Sequence, residues 1–326
     1  MSNSLITGGA GFIGSHLAEA LLARGHRVSV IDDESTGSID NLAAVLDNPS
    51  FSYTKGDAGD RDLLREKLAE ADEVYHLAAA VGVKLIAESP IQSIENNIFP
   101  AEMLLDELSR RDTPSRPVKL FIASSSEVYG KNPKALWNEE DDLVLGPTNR
   151  VRWSYGAAKA LDEYLSLAYW RQRHLSVVVG RFFNVVGPRQ SGAYGMVLPR
   201  FVEAALAGRP LSVHDDGGQI RCFAHVEDIV GAVVGLMQCP EAVGRVFNIG
   251  SDRPVSILQL AEMVIAQVDP SLKIELISYA DAYDKDFEDC RRRVPDLRRL
   301  RETIDFEPKH TLEDVIRQVI EMQRGG

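Results

Sequence analysis

The first 180 residues alternate short apolar runs with amphipathic stretches. The amphipathic stretches have helical spacing near 12–24, 61–69, 90–110 and 153–173. The apolar runs are too uniformly hydrophobic for strands with one face in water, which favours a parallel sheet covered by helices on both sides. A doubly wound α/β sheet is therefore predicted, with strands at 5–6, 27–31, 51–54, 73–76, 118–123 and 175–179.

The pattern becomes looser after residue 180. Glycine and proline interrupt it, and short strands separate helical stretches near 196–207, 226–238, 256–267 and 311–323. These features predict a smaller α+β lobe that binds the substrate. We expect a nucleotide-binding domain over 1–180 and this lobe over 181–326, with segments near 222–250 returning to the first domain.

Composition narrows the possible partners. The 326 residues contain 36 Lys plus Arg against 48 Asp plus Glu, a net charge of -12 that disfavours nucleic-acid binding. The three cysteines form no CxxC pair, so neither a disulfide framework nor a metal site is expected. The N-terminus lacks the pattern of a signal peptide and no apolar run is long enough to span a bilayer, so a cytoplasmic protein without membrane partners is expected.

Glycines at 8, 11 and 14 follow the first predicted strand and open the first predicted helix. Such a turn lets a pyrophosphate approach backbone N–H groups at a helix N-terminus. Asp32 ends the second strand, where a carboxylate accepts hydrogen bonds from an adenosine ribose and repels a 2'-phosphate. NAD is therefore favoured over NADP, the alternative being a glycine-rich turn without a ligand.

Two further groups suggest chemistry. Tyr155 and Lys159 share one helix face, where the ammonium is expected to lower the pKa of the phenol so that it acts as a base. Three serines, 124–126, follow an apolar strand at the edge of the sheet where ligands bind. Each pattern alone also fits an ordinary helix or turn, and the acidic stretch 139–142 is expected to be a solvated loop.

Together these residues resemble the extended short-chain dehydrogenase/reductases of the nucleotide-sugar epimerase/dehydratase family. The resemblance covers nearly the whole chain. Its motifs, in order, are TGGAGFIGSHL, VIDDESTG, HLAAAVG, FIASSSEVYG, YGAAK, RFFNVVGPRQ, GGQIRCFAHVEDI, VFNIGS and RRRVPDL.

The resemblance implies roles for individual positions. The catalytic set would be Ser125, Tyr155 and Lys159, joined by Glu127. On the sugar-nucleotide side, the residues implied are Ser125, Ser126, Asn184, Arg221, Arg293 and, as a weaker match, Arg189. The alternatives are a turn cap for Asn184 and surface ion pairs for Arg221 and Arg293. Residues implied to hold NAD are Gly8, Gly11, Phe12, Ile13, Gly14, Asp32, Ser35, Thr36, Gly37, Asp57, Ala58, Leu77, Ala78, Ala79, Asn97, Ser124, Tyr155 and Lys159.

The resemblance is less specific for the reaction. Members of the family oxidise C4 of the sugar, and Tyr155 would take the 4-hydroxyl proton. The 4,6-dehydratases carry Asp-Glu where this chain has Ser126-Glu127, so no acid is evident for a departing 6-hydroxyl. Ser125-Ser126-Glu127 instead resembles the Thr-Ser-Glu of UDP-glucuronate decarboxylases, which form UDP-xylose or its 4-keto pentose. Glu127 is then expected to destabilise a substrate carboxylate by like charge.

Two alternatives remain open for the function. One is a 4-epimerase acting on UDP-glucuronate or a UDP-hexose, and the other is a non-catalytic sugar-nucleotide-binding protein, which the Tyr155–Lys159 pair disfavours. The helices near 90–110 and 153–173 correspond to the subunit-contact helices of the family, so a homodimer is expected.

Overall fold

A computed structural model describes residues 2–80, 89–111, 117–193, 196–278 and 288–325. Residues 81 and 82, at the end of the HLAAAVG motif, lie outside the described residues. The described strands are β1 (Asn3–Thr7), β2 (Arg27–Asp32), β3 (Phe51–Lys55), β4 (Glu73–His76), β5 (Lys119–Ser125), β6 (Ser176–Phe182), β7 (Val185–Val186), β8 (Leu211–His214), β9 (Ile220–Cys222), β10 (Ala224–His225), β11 (Arg245–Ile249), β12 (Pro254–Ser256) and β13 (Ile274–Ile277).

The described helices agree with the predicted ones to within a few residues, with one short addition, α8. They are α1 (Phe12–Ala23), α2 (Arg61–Leu68), α3 (Pro90–Arg111), α4 (Ser154–Arg173), α5 (Val197–Leu206), α6 (Val226–Gln238), α7 (Ile257–Val268), α8 (Arg298–Ile304) and α9 (Leu312–Gly325). None of these helices in the described part of the chain is long and apolar enough to cross a membrane.

Seven parallel strands form the main sheet in the order β11-β6-β5-β4-β1-β2-β3. The predicted α/β class with a doubly wound, Rossmann-like sheet is confirmed. The order changes direction between β1 and β4, because the chain moves outward through β2 and β3 before it returns to the other side of β1. Where the strand order changes direction, open α/β sheets have a crevice at the carboxyl ends of the strands, and ligands bind in it.

Adjacent residues of the strands pack on opposite faces of the sheet, and both faces are buried. Ile6 and Phe121 contribute to the core on the side of α1 and α6, whereas Leu5 and Leu120 contribute to the core on the side of α2 and α3. Burying each large aliphatic side chain stabilises the fold by about 1.5–3 kcal/mol. Strands with two buried faces explain the nearly continuous apolar runs in the sequence.

A second core lies outside the main sheet. Helices α5, α7 and α9 pack around β8, which pairs with β13 in a small parallel sheet. Between these elements the chain returns to the main sheet, since α6 packs on α1 and β11 pairs with β6. The division into domains at residue 180 remains a prediction.

Candidate active site

A cavity of about 1010 Å³ opens at the carboxyl ends of the strands. Its wall contains residues of the main sheet, from Gly8 onward, and residues of the second core up to Arg293. The sequence-predicted catalytic and substrate-binding residues all lie on this wall, and so do the predicted cofactor residues except Asn97. Asn97 is buried behind the wall, where its amide donates to the carbonyls of Ala80 and Ser93.

The glycine turn has the shape needed for close approach by an anion. Gly8 adopts φ +75, and a Cβ atom on Gly14 would lie 2.2 Å from the Gly8 carbonyl oxygen. Gly11 precedes α1, whose N-terminus has no capping side chain and no acidic residue in its first turn. The first N–H groups of a helix have no intrahelical acceptor and carry partial positive charge. The residues present therefore fit the pyrophosphate of a dinucleotide.

Asp32 is buried at the end of β2, on the cavity wall. Its two carboxylate oxygens accept hydrogen bonds from the backbone N–H groups of Ala10, at 2.9 Å, and Glu34, at 2.8 Å. Burial raises the pKa of Asp32, and these two hydrogen bonds oppose the rise. Each oxygen retains a second lone pair, which fits the hydroxyls of a ribose.

Tyr155 lies in the first turn of α4, and the Ser125 hydroxyl at the end of β5 acts to lower the pKa of its phenol. The prediction that the pKa of the Tyr155 phenol is lowered is wrong. Burial raises the pKa of Tyr155, and the negative charge of Glu127 raises it further. The Lys159 ammonium is paired with Asp162, with Nζ 3.1 Å from Oδ2, so its positive charge is compensated.

Glu127 forms the centre of a charged cluster in the 3₁₀ turn Ser126–Tyr129. Its carboxylate accepts hydrogen bonds from both terminal nitrogens of Arg152, at 2.6 and 2.9 Å, and lies 2.8 Å from Arg293. Burial alone would raise the pKa of Glu127, but the two guanidinium groups hold it well below its usual range. The expectation that Glu127 repels a substrate carboxylate is therefore wrong, because two cations compensate its charge.

The other predicted substrate residues differ in the hydrogen bonds that their polar groups already make within the protein. Arg221 is buried and donates to Asp289 at 2.9 Å, whereas Asn184 donates to the Cys222 carbonyl and adopts φ 25. The guanidinium of Arg189 donates to Glu19 at 2.6 Å and to Ser15 at 3.2 Å, so it is tied to α1. Arg189 therefore remains the weakest of the candidates.

A buried network fixes Ser124. Its hydroxyl donates to Glu163 at 2.5 Å, and Glu163 accepts two hydrogen bonds from Arg181 on β6, at 2.9 and 2.7 Å. The guanidinium of Arg181 also lies over the ring of Tyr129, 4.7 Å from its centroid. This network lies behind the cavity wall and fixes the orientation of the Ser124 side chain.

Sequence reasoning missed several residues of this region, among them Arg152, Asp162 and Glu163. Asp162 and Glu163 follow Tyr155 at seven and eight positions on α4, so the same helical spacing that pairs Tyr155 with Lys159 brings Asp162 to that face. Arg152 has no such signal, because its partner Glu127 is distant in the sequence.

A nucleotide-binding glycine turn and a serine, tyrosine and lysine at the carboxyl ends of a parallel sheet define the short-chain dehydrogenase/reductase class. A family model described as GDP-mannose 4,6 dehydratase matches residues 5–319. The chain belongs to that extended nucleotide-sugar epimerase/dehydratase family and is an enzyme of this NAD-dependent group, which also contains decarboxylases.

Individual relatives agree with this placement. The chain is 37% identical to UDP-N-acetyl-alpha-D-glucosaminuronate decarboxylase of Bacillus cytotoxicus, over 98% of this chain and 97% of the relative. It is 32% identical to UDP-glucuronic acid decarboxylase 1 of Arabidopsis thaliana, over 97% and 68% of the two chains. The crystal structure of UDP-glucuronic acid 4-epimerase from Bacillus cereus in complex with NAD superposes with a TM-score of 0.85, at 26% identity over 99% of each chain.

Proposed function

We propose that this enzyme uses NAD to decarboxylate a UDP-linked hexuronate through a 4-keto intermediate. UDP-glucuronate, giving UDP-xylose or its 4-keto pentose, is the expected substrate. UDP-N-acetylglucosaminuronate is the variant that the Bacillus cytotoxicus relative suggests. The observation that carries the proposal is the Glu127 carboxylate held between Arg152 and Arg293.

This cluster argues against dehydration. A 4,6-dehydratase needs a group that gives a proton to the departing 6-hydroxyl. Because its two arginines keep Glu127 ionised, it is a poor proton donor at neutral pH, and the neighbouring Ser126 is not an acid. Elimination of water therefore lacks an acid at this position of the turn.

The cluster also supports an anionic sugar. Arg152, Arg221 and Arg293 carry three positive charges on the cavity wall, whereas their partners Glu127 and Asp289 carry two negative charges. The Nε atoms of Arg152 and Arg293 are buried without a hydrogen-bond partner among the described residues. A diphosphate and a sugar carboxylate both supply the acceptors that such groups need.

The side chains of the site have separate roles in this reaction. Tyr155 takes the proton of the 4-hydroxyl as C4 is oxidised, and the Ser125 hydroxyl favours the phenolate form of this base. NAD, when bound, supplies the hydride acceptor and later the donor. The 4-keto uronate is a β-keto acid, so the electrons of its breaking carbon–carbon bond flow into the C4 carbonyl as carbon dioxide leaves. Tyr155, now protonated, faces the oxygen on which this negative charge develops.

Product analysis tests the proposal. Purified protein is incubated with UDP-glucuronate and UDP-N-acetylglucosaminuronate, and the products are identified by mass spectrometry and NMR, with Tyr155→Phe as the inactive control. Loss of carbon dioxide with formation of a UDP-pentose is expected. A product that retains its carboxylate and is inverted at C4 would replace this proposal by 4-epimerisation.

We also propose that two copies associate through α3 and α4. These helices pack on each other and leave apolar side chains in water, notably Ile91 at 73% exposure, Phe99 at 58% and Tyr164 at 67%. Large apolar side chains exposed on two helices that pack together favour an interface at this face. Sedimentation velocity should give a dimer for the parent and a monomer for Phe99→Glu. A monomeric parent would refute the assembly.

A further inference from the structure

Tyr155, Lys159 and Asp162 form a stripe along one face of α4. Their spacing of four and then three residues places them on successive turns of the helix. Asp162 is fully buried and Lys159 nearly so, and the ammonium nitrogen lies 3.1 Å from the Asp162 carboxylate. A phenol, a cation and an anion therefore follow one another along the wall behind the cavity.

Burial makes this ion pair significant for the site. A buried ammonium is stable only with a compensating partner, and the partner's charge weakens the field that the ammonium exerts on other groups. Asp162 Oδ2 is the acceptor for Lys159, and Asp162 Oδ1 is buried without a hydrogen-bond partner among the described residues. The carboxylate is thus oriented toward Lys159, and within the part of the chain that the structure describes no second cation pairs with it.

We propose that Asp162 is a positioning residue, which holds the Lys159 ammonium by the ion pair and thereby sets how strongly this cation stabilises the phenolate of Tyr155. The inference rests on the proposed function of Tyr155 as the base. It assigns to Asp162 an effect on the reaction that is separate from any effect on folding.

Other charges near the stripe act on the same groups. The negative charges of Glu127 and Asp162 both raise the pKa of the Tyr155 phenol, after the larger effect of burial. His76, at the end of β4, is fully buried, and its pKa is lowered to about 3 by burial and by the charge of Lys159. The charge of Lys159 therefore also acts on a side chain outside its own helix.

Charged groups on α4, β6 and α3 make contacts other than the ion pair between Asp162 and Lys159. Burial raises the pKa of Asp162, the charge and hydrogen bond of Lys159 oppose the rise, and the charge of Glu163, next along α4, adds to it. Arg181 on β6 compensates the Glu163 charge. On α3, the helix packed against α4, Glu102 and Asp106 face Tyr169, further along α4. Asp162 is thus the carboxylate in direct contact with Lys159.

The size of the effect follows from the helix geometry. Seven residues at 1.5 Å rise separate Asp162 from Tyr155 by roughly 10 Å along the axis. A unit charge at that distance, at an effective dielectric constant of about 20, shifts a pKa by about one unit. Removing the Asp162 charge should therefore lower the pKa of Tyr155 by about one unit.

The test is a spectroscopic titration of Tyr155 that needs no substrate. The ultraviolet absorbance of the phenolate is followed against pH in protein saturated with NAD. The same protein carrying Tyr155→Phe is subtracted, so that the other tyrosines cancel. The series is run for the parent, Asp162→Asn and Asp162→Glu, and for Asp106→Asn, which removes an ion-paired carboxylate from α3 without touching Lys159.

Asp162→Asn should move the Tyr155 titration down by about one pH unit, whereas Asp162→Glu and Asp106→Asn should leave it close to the parent value. An unchanged or raised titration in folded Asp162→Asn would overturn the proposal. Asp162→Glu, which keeps the charge, still decides the matter if the asparagine variant does not fold: a titration displaced by about one unit despite the retained carboxylate contradicts the assignment. Because no sugar nucleotide is present, failure of the decarboxylase proposal leaves this result intact.

Discussion

Replacing Arg152 by methionine removes the two hydrogen bonds that its guanidinium donates to Glu127. Methionine keeps a long apolar stem, so the main loss is the charge and its hydrogen bonds. Breaking a buried ion pair costs about 3–5 kcal/mol of unfolding free energy, since one charge stays buried without its partner. Arg293 remains 2.8 Å from Glu127, so we expect a loss near the lower limit, about 3 kcal/mol.

Urea denaturation followed by circular dichroism measures this loss. A double-mutant cycle with Glu127→Gln isolates the pair, because the glutamine removes the charge that Arg152 compensates. We expect the double variant to be less destabilised than the sum of the single variants by about 2 kcal/mol. The control is Arg110→Met on α3, whose guanidinium pairs with Asp106 at an exposed position and should change stability little.

Two results would refute the reasoning about Arg152. One is a loss no greater than that of the Arg110 control. The other is strict additivity in the cycle, which would mean that Arg152 and Glu127 do not interact in the folded protein. Either result would also remove the support that the cluster gives to an anionic substrate.

Three further outcomes can be measured on the same protein. Tyr155→Phe should slow NADH formation by about 100- to 10,000-fold and leave sugar-nucleotide binding within a few-fold, by stopped-flow absorbance and calorimetry; turnover near the parent rate would assign proton removal to another group. The dinucleotide released on denaturation should be NAD rather than NADP, because a 2'-phosphate would face the Asp32 carboxylate; chromatography that recovers NADP contradicts this. The lowered pKa of Glu127 means that its contribution to stability is present at neutral pH and is lost as the pH falls below the unfolded value of about 4.3. Glu127→Gln should therefore lose less unfolding free energy than the parent between about pH 5 and pH 3, and equal losses would show that Glu127 is not held ionised.

The sequence identifies the main sheet because its strands are buried on both faces and therefore read as apolar runs. It underestimates β1, predicted over 5–6, because the ends of this strand are polar but buried. Thr7 is hydrogen-bonded to His76 at 2.7 Å, and Ser4 to His26 at 2.9 Å. Hydrophobicity cannot reveal a buried position whose polar group is satisfied by a residue elsewhere in the chain.

The residues of the candidate site also fall into two groups, those that local sequence spacing predicts and those that it does not. Residues in local patterns, such as the glycine turn and the Tyr155–Lys159 pair, were found because their spacing alone places them together. Arg152 was not, since its contact with Glu127 depends on how α4 packs beside β5. The predicted direction of the Tyr155 pKa shift was wrong because burial and the charge of Glu127, which is distant in the sequence, both raise this pKa.

Glu139 illustrates why charge alone misleads. It belongs to an acidic stretch expected to be solvated, yet it is buried and accepts a hydrogen bond from the backbone N–H of Asn248 at 2.8 Å. Burial raises its pKa, and the hydrogen bond from Asn248 opposes the rise. Its hydrogen bond connects the acidic stretch to β11, which no local pattern of residues 139–142 could show.

The position of β11 has a consequence for how the chain is made. Strand β6 ends at Phe182, but its outer neighbour in the sheet begins only at Arg245, after β7 to β10 and two helices. A chain emerging from the ribosome therefore presents β6 as an open apolar edge while that intervening length is synthesised, and open edges pair readily with other chains. We expect released fragments that end near Phe182 to aggregate unless a chaperone is present. Chains extended past Ile249 should resist protease better, since only then is β6 paired on both sides.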